Sequence, residues 1–469
     1  MPEDKLSLTS TSGIGLVHAG SRRGRILTEM VSEALVLAQV IEVGAAVVPQ
    51  FRISENLFCE PDYQQILLWA KALELEPATV LERLLAMPEK VHRQKSKTQI
   101  MNGRIIKLGW DISILPLVTF EWVEGLVIES IAFFVPNLAT PSSIERSLTL
   151  PLPHLRCLEC DGMGFVSLDL SATSQLSRLT CGGNYLTELN LSAVPQLTEL
   201  WCDVNGITEL ELSSVPQLVE LRCDDNGLTE LNLSAVTQLT VLTCSQNQLA
   251  ELDISTTPQL TRLFCGENQL TTLEFVNVPL LTTLSCEENQ LFELDVSANP
   301  RLTDLWCDDN ELSELDLTHI PYLTTLSCSN NRLTNLDLSA VPCLNDLWCA
   351  GNDFAELDIS PLPQLKRLYC ERNQLVELAL AAVPHVTDLW CWENKLGYLD
   401  LSGIPRLTDL WCSDNQMTKL DLSAVPHVTS LFCNRSKLIE LDVRPLANLR
   451  SLQYDSDKTQ LLQRPDQHF

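Results

Sequence analysis

The chain has 469 residues, of which 45% are hydrophobic, so it holds enough apolar material for a core, and wholesale disorder is excluded. Its 32 Lys and Arg residues stand against 61 Asp and Glu residues, which gives a formal net charge of -29. This acidity argues against nucleic acid and anionic membranes as partners, because both need a basic surface, and it favours cationic partners.

Residues 1–50 form a poorly determined N-terminal segment that is expected to be partly mobile, because its opening is rich in Ser, Thr and Gly. The run from Met30 to Val43 is compatible with a helix. There is no apolar run of signal-peptide or membrane-spanning length, which predicts a cytoplasmic protein. A specialised export route would leave no such signal.

Two predicted segments lead into the regular part of the chain. Residues 51–102 are predicted to be a helical cap segment, since PDYQQILLWAKALEL and PATVLERLLAM both begin at Pro, which suits a first helical turn. Residues 103–154 contain strand-like runs and are predicted to be irregular flanking repeats or a cap.

Residues 155–448 are organised by cysteines at one constant spacing of 21 residues. Fourteen of the 17 Cys belong to this series, from Cys160 to Cys433. The repeated unit reads L-x-x-L-x-C-x-x-N-x-L-x-x-L-D-L-S-x-x-P-x. A fixed period in this range is typical of repeat architectures. Residues 449–469 are predicted to be a terminal partial repeat and a tail.

The repeated unit resembles that of the leucine-rich repeat family, in particular its 21-residue bacterial subclass. This resemblance implies a curved solenoid with a parallel β-sheet on its concave face and short strands or turns on its convex face. Here it would carry a small N-terminal α/β cap. It also implies a role in protein–protein recognition, and a ladder of the Asn residues at the ninth position that bonds backbone groups of neighbouring repeats.

The spacing within each unit supports this architecture. Leu and Cys of the L-x-C segment are two residues apart, so both face one side of a strand, and the residue between them faces the other side. The L-D-L segment has the same period and predicts a second short strand on the convex side. One unit cannot bury its apolar groups alone, whereas stacked neighbours can.

The Cys column is interpreted as core, because free Cys behaves as a small hydrophobe. A thiolate ladder for a soft metal is the alternative. However, metal ligands must converge on a point, and one Cys per repeat spreads them along an axis. Neither a metal nor a cofactor is predicted. A long row of unpaired thiols also favours a reducing compartment.

The acidity lies in the repeats, since residues 151–469 carry a net charge of -26. The Asp of L-D-L, as in Asp253, Asp295, Asp316, Asp337 and Asp400, is interpreted as a solvated convex face. The residue before each Cys, by contrast, lies on the predicted concave face. Eight of its fourteen members are aromatic: Trp201, Phe264, Trp306, Trp348, Tyr369, Trp390, Trp411 and Phe432.

Every Trp of this column has an acid two residues earlier, on the same face of its strand. These acids are Glu199, Asp304, Asp346, Asp388 and Asp409. An indole beside a carboxylate attracts a cation, so a Lys or Arg side chain could stack on the ring while its charge meets the acid. Trp392 adds one more ring near Trp390. Repeat duplication offers a second explanation, because a copied block would carry Trp and acid together without any selection for binding.

No catalytic motif is seen, so the chain is predicted not to be an enzyme. The leading hypothesis is a monomeric protein-binding module that takes a basic segment or patch of a partner protein. Its predicted partner-binding residues are Trp201, Trp306, Trp348, Tyr369, Trp390, Trp392, Trp411, Phe432, Asp304, Asp346, Asp388 and Asp409. The alternatives are a carbohydrate-binding solenoid, since rings flanked by carboxylates also suit sugars, and a passive scaffold without a dedicated ligand.

Overall fold

The computed structural model describes residues 39–43, 46–53, 56–73, 75–85, 99–101, 104–111, 128–134 and 146–468. They belong to two compact units. The first comprises Met1–Ile144, Leu150–Met163 and Ala172–Leu176, and the second comprises Glu145–Thr149, Gly164–Ser171 and Ser177–Phe469. The boundaries drawn from the sequence remain predictions.

The described residues of the first unit include two helices, α1 (Glu60–Ala72) and α2 (Pro77–Leu85), where the sequence predicts them. Its strands are β1 (Gln39–Val43), β2 (Ala46–Ile53), β3 (Asn56–Cys59), β4 (Gln99–Met101), β5 (Arg104–Asp111), β6 (Ser130–Phe134) and β8 (Cys157–Glu159).

Strands β1, β2 and β3 form an antiparallel sheet. The helix expected from Met30 to Val43 is wrong where the structure describes it, because Gln39–Val43 is strand β1. Its β-branched residues Val40, Ile41 and Val43 favour a strand. The remainder of that run lies outside the described residues.

Helix α1 contributes large side chains to the buried core of the first unit. Tyr63, Ile66, Leu67 and Trp69 are at most 1% exposed. Strands β5, β6 and β8 then pair in parallel. None of the helices among the described residues is long and apolar enough to cross a membrane.

The second unit is a leucine-rich repeat solenoid, as the sequence predicts. Its strands are β7 (Arg146–Thr149), β9 (Phe165–Asp169), β10 (Arg178–Thr180), β11 (Glu199–Trp201), β12 (Glu220–Arg222), β13 (Val241–Thr243), β14 (Arg262–Phe264), β15 (Thr283–Ser285), β16 (Asp304–Trp306), β17 (Thr325–Ser327), β18 (Asp346–Trp348), β19 (Arg367–Tyr369), β20 (Asp388–Trp390), β21 (Asp409–Trp411), β22 (Ser430–Phe432), β23 (Glu440–Asp442), β24 (Ser451–Gln453) and β25 (Gln460–Leu462).

Strands β10 to β22 and β24 pair in parallel, each with the next along the chain and with no shift of register. Each strand from β10 to β22 has three residues. The middle residue is a fully buried Leu, and the Cys after the strand is also buried. The first and third residues face the opposite side. We call the surface formed by these first and third residues of β10 to β22 the ladder face.

The cysteines of the series are core residues, as expected. All fourteen are buried, and none is paired in a disulfide. Several thiols donate a hydrogen bond to the carbonyl of the next strand's third residue, as Cys307 does to Ser327 at 3.3 Å. Burial raises the pKa of thirteen of these thiols, that of Cys391 to about 12. They are therefore protonated, which suits their place in the apolar core.

The second strand expected at L-D-L forms only at β9, which pairs with β7, and at β23, which pairs with β25. In repeats 2 to 13 this segment is not a strand. There the Asp side chain accepts a hydrogen bond from the backbone N–H two residues on, as Asp295 does from Ser297 at 2.9 Å. This bond makes a local turn instead of a ladder. The Asp column is therefore exposed, as expected, but it also holds the turns.

Candidate binding surface

Five predicted site residues come together on the ladder face, because their strands are consecutive. These residues are Trp348, Tyr369, Trp390, Trp411 and Phe432. All five are partly buried rather than enclosed in the core. They lie there because each one follows a buried Leu and precedes a buried Cys in its strand.

The five rings are in continuous contact. Trp348 and Tyr369 stack with ring centroids 5.5 Å apart, and Tyr369 meets Trp390 edge-on at 4.7 Å. Trp390 and Trp411 stack at 4.2 Å, and Trp411 meets Phe432 at 4.7 Å. Since these contacts occupy the ring faces, stacking of an incoming cation on Trp390 or Trp411, as expected from the sequence, would have to displace a neighbour. What the paired rings offer is their edges.

The acids of the ladder face stand beside these rings. Asp388 and Asp409 each accept a hydrogen bond from the preceding Thr hydroxyl, at 2.6 and 2.9 Å. Among the described residues, neither forms an ion pair. The pKa of Tyr369 is raised, first by burial and then by the negative charge of Asp388. The carboxylates therefore set a negative potential along the aromatic row.

Trp348 already has a cation of its own. Arg367, the first residue of the next strand, forms an ion pair with Asp346. Its guanidinium carbon lies 5.3 Å from the centre of the Trp348 ring. One arginine thus contacts an indole and the carboxylate two residues before it.

Trp201 lies apart from the aromatic row and is held between two arginines. Arg178 is 4.7 Å and Arg222 is 4.1 Å from the ring centre. Arg178 pairs with Glu199 at 3.2 Å, and Arg222 pairs with Glu220 at 2.6 Å. This Trp–acid pair is therefore occupied from within the chain.

Trp306 and Trp392 are also separate from the row. The strand neighbours of Trp306 are Ser285 and Ser327, and the neighbouring Asp304 accepts a hydrogen bond from Thr303 at 2.7 Å. Trp392 follows its strand instead of lying in it. The guanidinium of Arg372 is 4.7 Å from the centre of its ring.

Sequence reasoning did not identify the contacts of these arginines with the indoles and acids of this surface. Arg178 and Arg367 occupy the first strand position next to a Trp–acid repeat, and Arg222 occupies the third. That placement is readable from the 21-residue register. A search for arginines one repeat away from each Trp would have found them.

The carboxylates that follow the Cys column are partly removed from solvent. Asp308 accepts hydrogen bonds from the Ser327 hydroxyl at 2.5 Å and the Ser329 N–H at 2.8 Å. Burial raises the pKa of Asp308, Asp224 and Glu371. Among the described residues, no group of His, Cys, Asp and Glu is arranged to hold a metal ion.

No family model and no curated protein matches the chain. Solved structures do. The functional domain of InlJ from Listeria monocytogenes, described as including a cysteine ladder, is 34% identical over 64% of this chain and 66% of that chain, with a TM-score of 0.59. This chain thus spans about two thirds of the InlJ structure.

Two further structures are similar in fold alone. A leucine-rich repeat protein from Leptospira interrogans is 23% identical over 68% of this chain and 89% of that chain, with a TM-score of 0.62. The ectodomain of the receptor kinase GASSHO1 from Arabidopsis thaliana is 21% identical over 71% of this chain and 42% of that chain, with a TM-score of 0.56. The latter was solved in complex with CASPARIAN STRIP INTEGRITY FACTOR 2.

Proposed function

Because the chain is a leucine-rich repeat solenoid, we propose that it is a non-enzymatic module that binds a basic segment or patch of a partner protein on its ladder face. Proteins of this fold generally act in protein–protein interaction, and stacked repeats give them an extended surface for it. The proposed site is centred on repeats 10 to 14, where the aromatic row is continuous.

One observation carries the proposal. Arg367 shows within the molecule what a basic side chain does on this face, since it contacts the Trp348 ring and pairs with Asp346. The same combination of ring and carboxylate recurs at Trp390 with Asp388 and at Trp411 with Asp409. There, among the described residues, no arginine or lysine pairs with the acid.

The stacked rings determine how a partner would lie. The edges of Trp390 and Trp411 offer an apolar strip, on which the methylene stem of Lys or Arg packs. The charged end then meets Asp388 or Asp409. The large negative charge of the repeats adds long-range attraction, which speeds association and weakens as salt is added.

The test is binding of fluorescently labelled octa-lysine, measured by anisotropy over a range of salt concentrations. We expect affinity that falls steeply with salt. Asp388→Asn together with Asp409→Asn should weaken it strongly, and so should Trp390→Ala together with Trp411→Ala.

The matched control is the pair Asp400→Asn and Asp421→Asn, which removes the same charge from the same two repeats but on the turn side. Asn already holds this turn at Asn190, so the fold should tolerate the change. Equal loss in both Asn pairs would show that only net charge matters and would contradict the site. Binding of neutral oligosaccharides without salt dependence would contradict the basic partner.

The cytoplasmic location remains a prediction. The fourteen buried thiols react slowly with oxidants in any compartment, because they are removed from solvent and burial disfavours the reactive thiolate. The large number of unpaired thiols is therefore only weak support for a reducing compartment.

A further inference from the structure

Trp306 differs from the other indoles of the ladder face in what surrounds it. Its strand neighbours at the third position are two buried serines, Ser285 and Ser327. A serine is too short to cover an indole. Among the described residues, no other ring and no guanidinium lies against Trp306, which leaves indole surface available to a partner.

Two indoles of the ladder face, Trp348 and Trp201, meet an arginine and show which side chain fits beside an indole on this face. At Trp348, the arginine comes from the first position of the next strand, Arg367, which lies beside Asp346 in the register. At Trp201, Arg178 comes from the first position of the preceding strand and lies beside Glu199. In both cases the arginine also pairs with the acid of the Trp that it contacts.

The positions that supply those arginines are threonines around Trp306. Thr283 and Thr325 are the first residues of the strands on either side, and both lie beside Asp304. Asp304 forms no ion pair among the described residues. Two more carboxylates are fixed nearby by the flanking serines, since Ser285 donates to Glu287 and Ser327 donates to Asp308, both at 2.5 Å.

We propose that the Trp306–Asp304 pair is the anchor point for an arginine side chain of the partner protein. Its guanidinium lies on the indole and donates hydrogen bonds to Asp304, as Arg367 does at Trp348. This inference rests on the proposed function and adds a position and a preferred residue to it. Arginine is favoured over lysine because its planar guanidinium stacks on an aromatic face and forks onto a carboxylate, whereas an ammonium does neither as well.

The experiment fills the site from within the chain. Thr325→Arg places an arginine beside Asp304 in the register that Arg367 holds beside Asp346. The control is Val241→Arg, which adds the same charge at the same strand position four repeats earlier, where no Trp lies in its own or either adjacent strand. Arginine is already accommodated at this strand position in β10, β14 and β19, so both variants should fold.

The measurement is the ratio of the dissociation constants of labelled octa-lysine and octa-arginine, which carry equal charge. Wild type should prefer octa-arginine, by about fivefold for one exposed cation–π contact with its carboxylate. Thr325→Arg should bring the ratio close to that of Trp306→Leu, while Val241→Arg weakens both peptides and leaves the ratio as in wild type.

An unchanged ratio in Thr325→Arg and Trp306→Leu would overturn the anchor and leave the proposed function standing, because both peptides would still bind in a salt-dependent way. If wild type bound neither peptide, the proposed function itself would fail. The two failures are therefore distinguishable in one set of titrations.

Discussion

The side-chain oxygen of Asn310 accepts a hydrogen bond of 3.0 Å from the backbone N–H of Leu291 in the preceding repeat. Its amide nitrogen donates to the carbonyls of Cys286 at 3.0 Å and Cys307 at 3.2 Å. The same bond from the preceding repeat reaches all twelve Asn residues from Asn184 to Asn415. The Asn ladder expected from the family resemblance thus ties each repeat to its neighbour.

Removal of one link of this ladder should be costly. Asn310→Ala leaves the N–H of Leu291 without a partner in a buried turn. The carbonyls of Cys286 and Cys307 each lose one of two amide donors and keep the bonds from Asn289 and Asn331. We expect a loss of about 1–3 kcal/mol in the free energy of unfolding, since a buried unsatisfied group costs about that much. Urea denaturation followed by circular dichroism measures it.

Asn190→Ala is the control for this prediction. Asn190 is exposed and holds only a local turn, through a bond from the N–H of Ser192. Its loss should cost less than that of Asn310. Equal losses for the two variants would contradict a special role for the buried Asn.

The eighth residue of every repeat, which precedes the ladder Asn in repeats 2 to 13, has a left-handed backbone conformation, with φ between 50° and 69° from Gly162 to Arg435. Only Gly162, Gly183 and Gly351 in this column are glycines. Val204, with φ of 54°, is β-branched, and such a residue is least suited to this region.

Val204→Gly should therefore stabilise the protein. The left-handed conformation costs a side chain about 1–2 kcal/mol, and the extra freedom of Gly in the unfolded chain costs about 0.5–1 kcal/mol. Since Val204 is 52% exposed, little packing is lost. We expect a net gain of roughly 0.5–1 kcal/mol in urea denaturation. Gly397→Ala is the reference, because it exchanges glycine and a side chain at a residue outside the left-handed column. If Val204→Gly were less stable than wild type, the left-handed conformation of Val204 would cost less than the extra freedom of Gly in the unfolded chain.

Cysteine reactivity should follow burial. Cys343 is exposed, whereas the fourteen ladder thiols are buried, and burial raises the pKa of ladder thiols such as Cys349 and Cys412. Native protein treated with a thiol reagent should therefore label Cys343 fast and the ladder only after unfolding. Peptide mapping by mass spectrometry identifies the sites, and Cys343→Ser should remove that fast label. Fast labelling of several ladder cysteines in native protein would contradict the described core.

The repeat register made the core predictable. The spacing of Leu305 and Cys307 placed both inward and Trp306 outward, and the structure agrees. The left-handed residue was not predictable, because Val, Asp, Gln, Glu and Arg all occupy that position. Its conformation is imposed by the backbone and Asn hydrogen bonds on either side, which leave no preference visible in residue type.

The ladder face was predictable in its members but not in its pairings. The sequence alone does not show that the Trp390 and Trp411 rings stack on one another or that Arg367 contacts Trp348 in the preceding repeat. Such contacts join side chains from different repeats. They depend on the rotamer that each side chain adopts beside its neighbours in adjacent repeats. The pattern of residues within one repeat does not determine that rotamer.

The buried carboxylate of Asp308 should make stability depend on pH. Its pKa in the folded protein is raised by burial, against the hydrogen bonds from Ser327 and Ser329. The folded state therefore binds a proton more readily than the unfolded state, so Asp308 lowers the stability as pH rises from its unfolded pKa through its raised folded pKa.

The exposed turn aspartates have the opposite effect on stability. The pKa of Asp316, for example, is lowered by bonds from Thr318, and its contribution is lost as pH falls below about 4.

Asp308→Asn isolates the first effect. Both hydrogen bonds reach the same oxygen, Oδ1, so the amide oxygen of Asn can accept them without a buried charge. The variant should lose less stability than wild type between about pH 4 and pH 7, measured by thermal melts across this range. Asp224→Asn is the comparison, because Asp224 accepts one bond on each oxygen, and its Asn form must give up the bond from Thr243 or from Ser245. If the stability of Asp308→Asn and that of wild type fell equally over that range, ionisation of Asp308 would not destabilise the folded state. The burial of its charge would then have no thermodynamic effect.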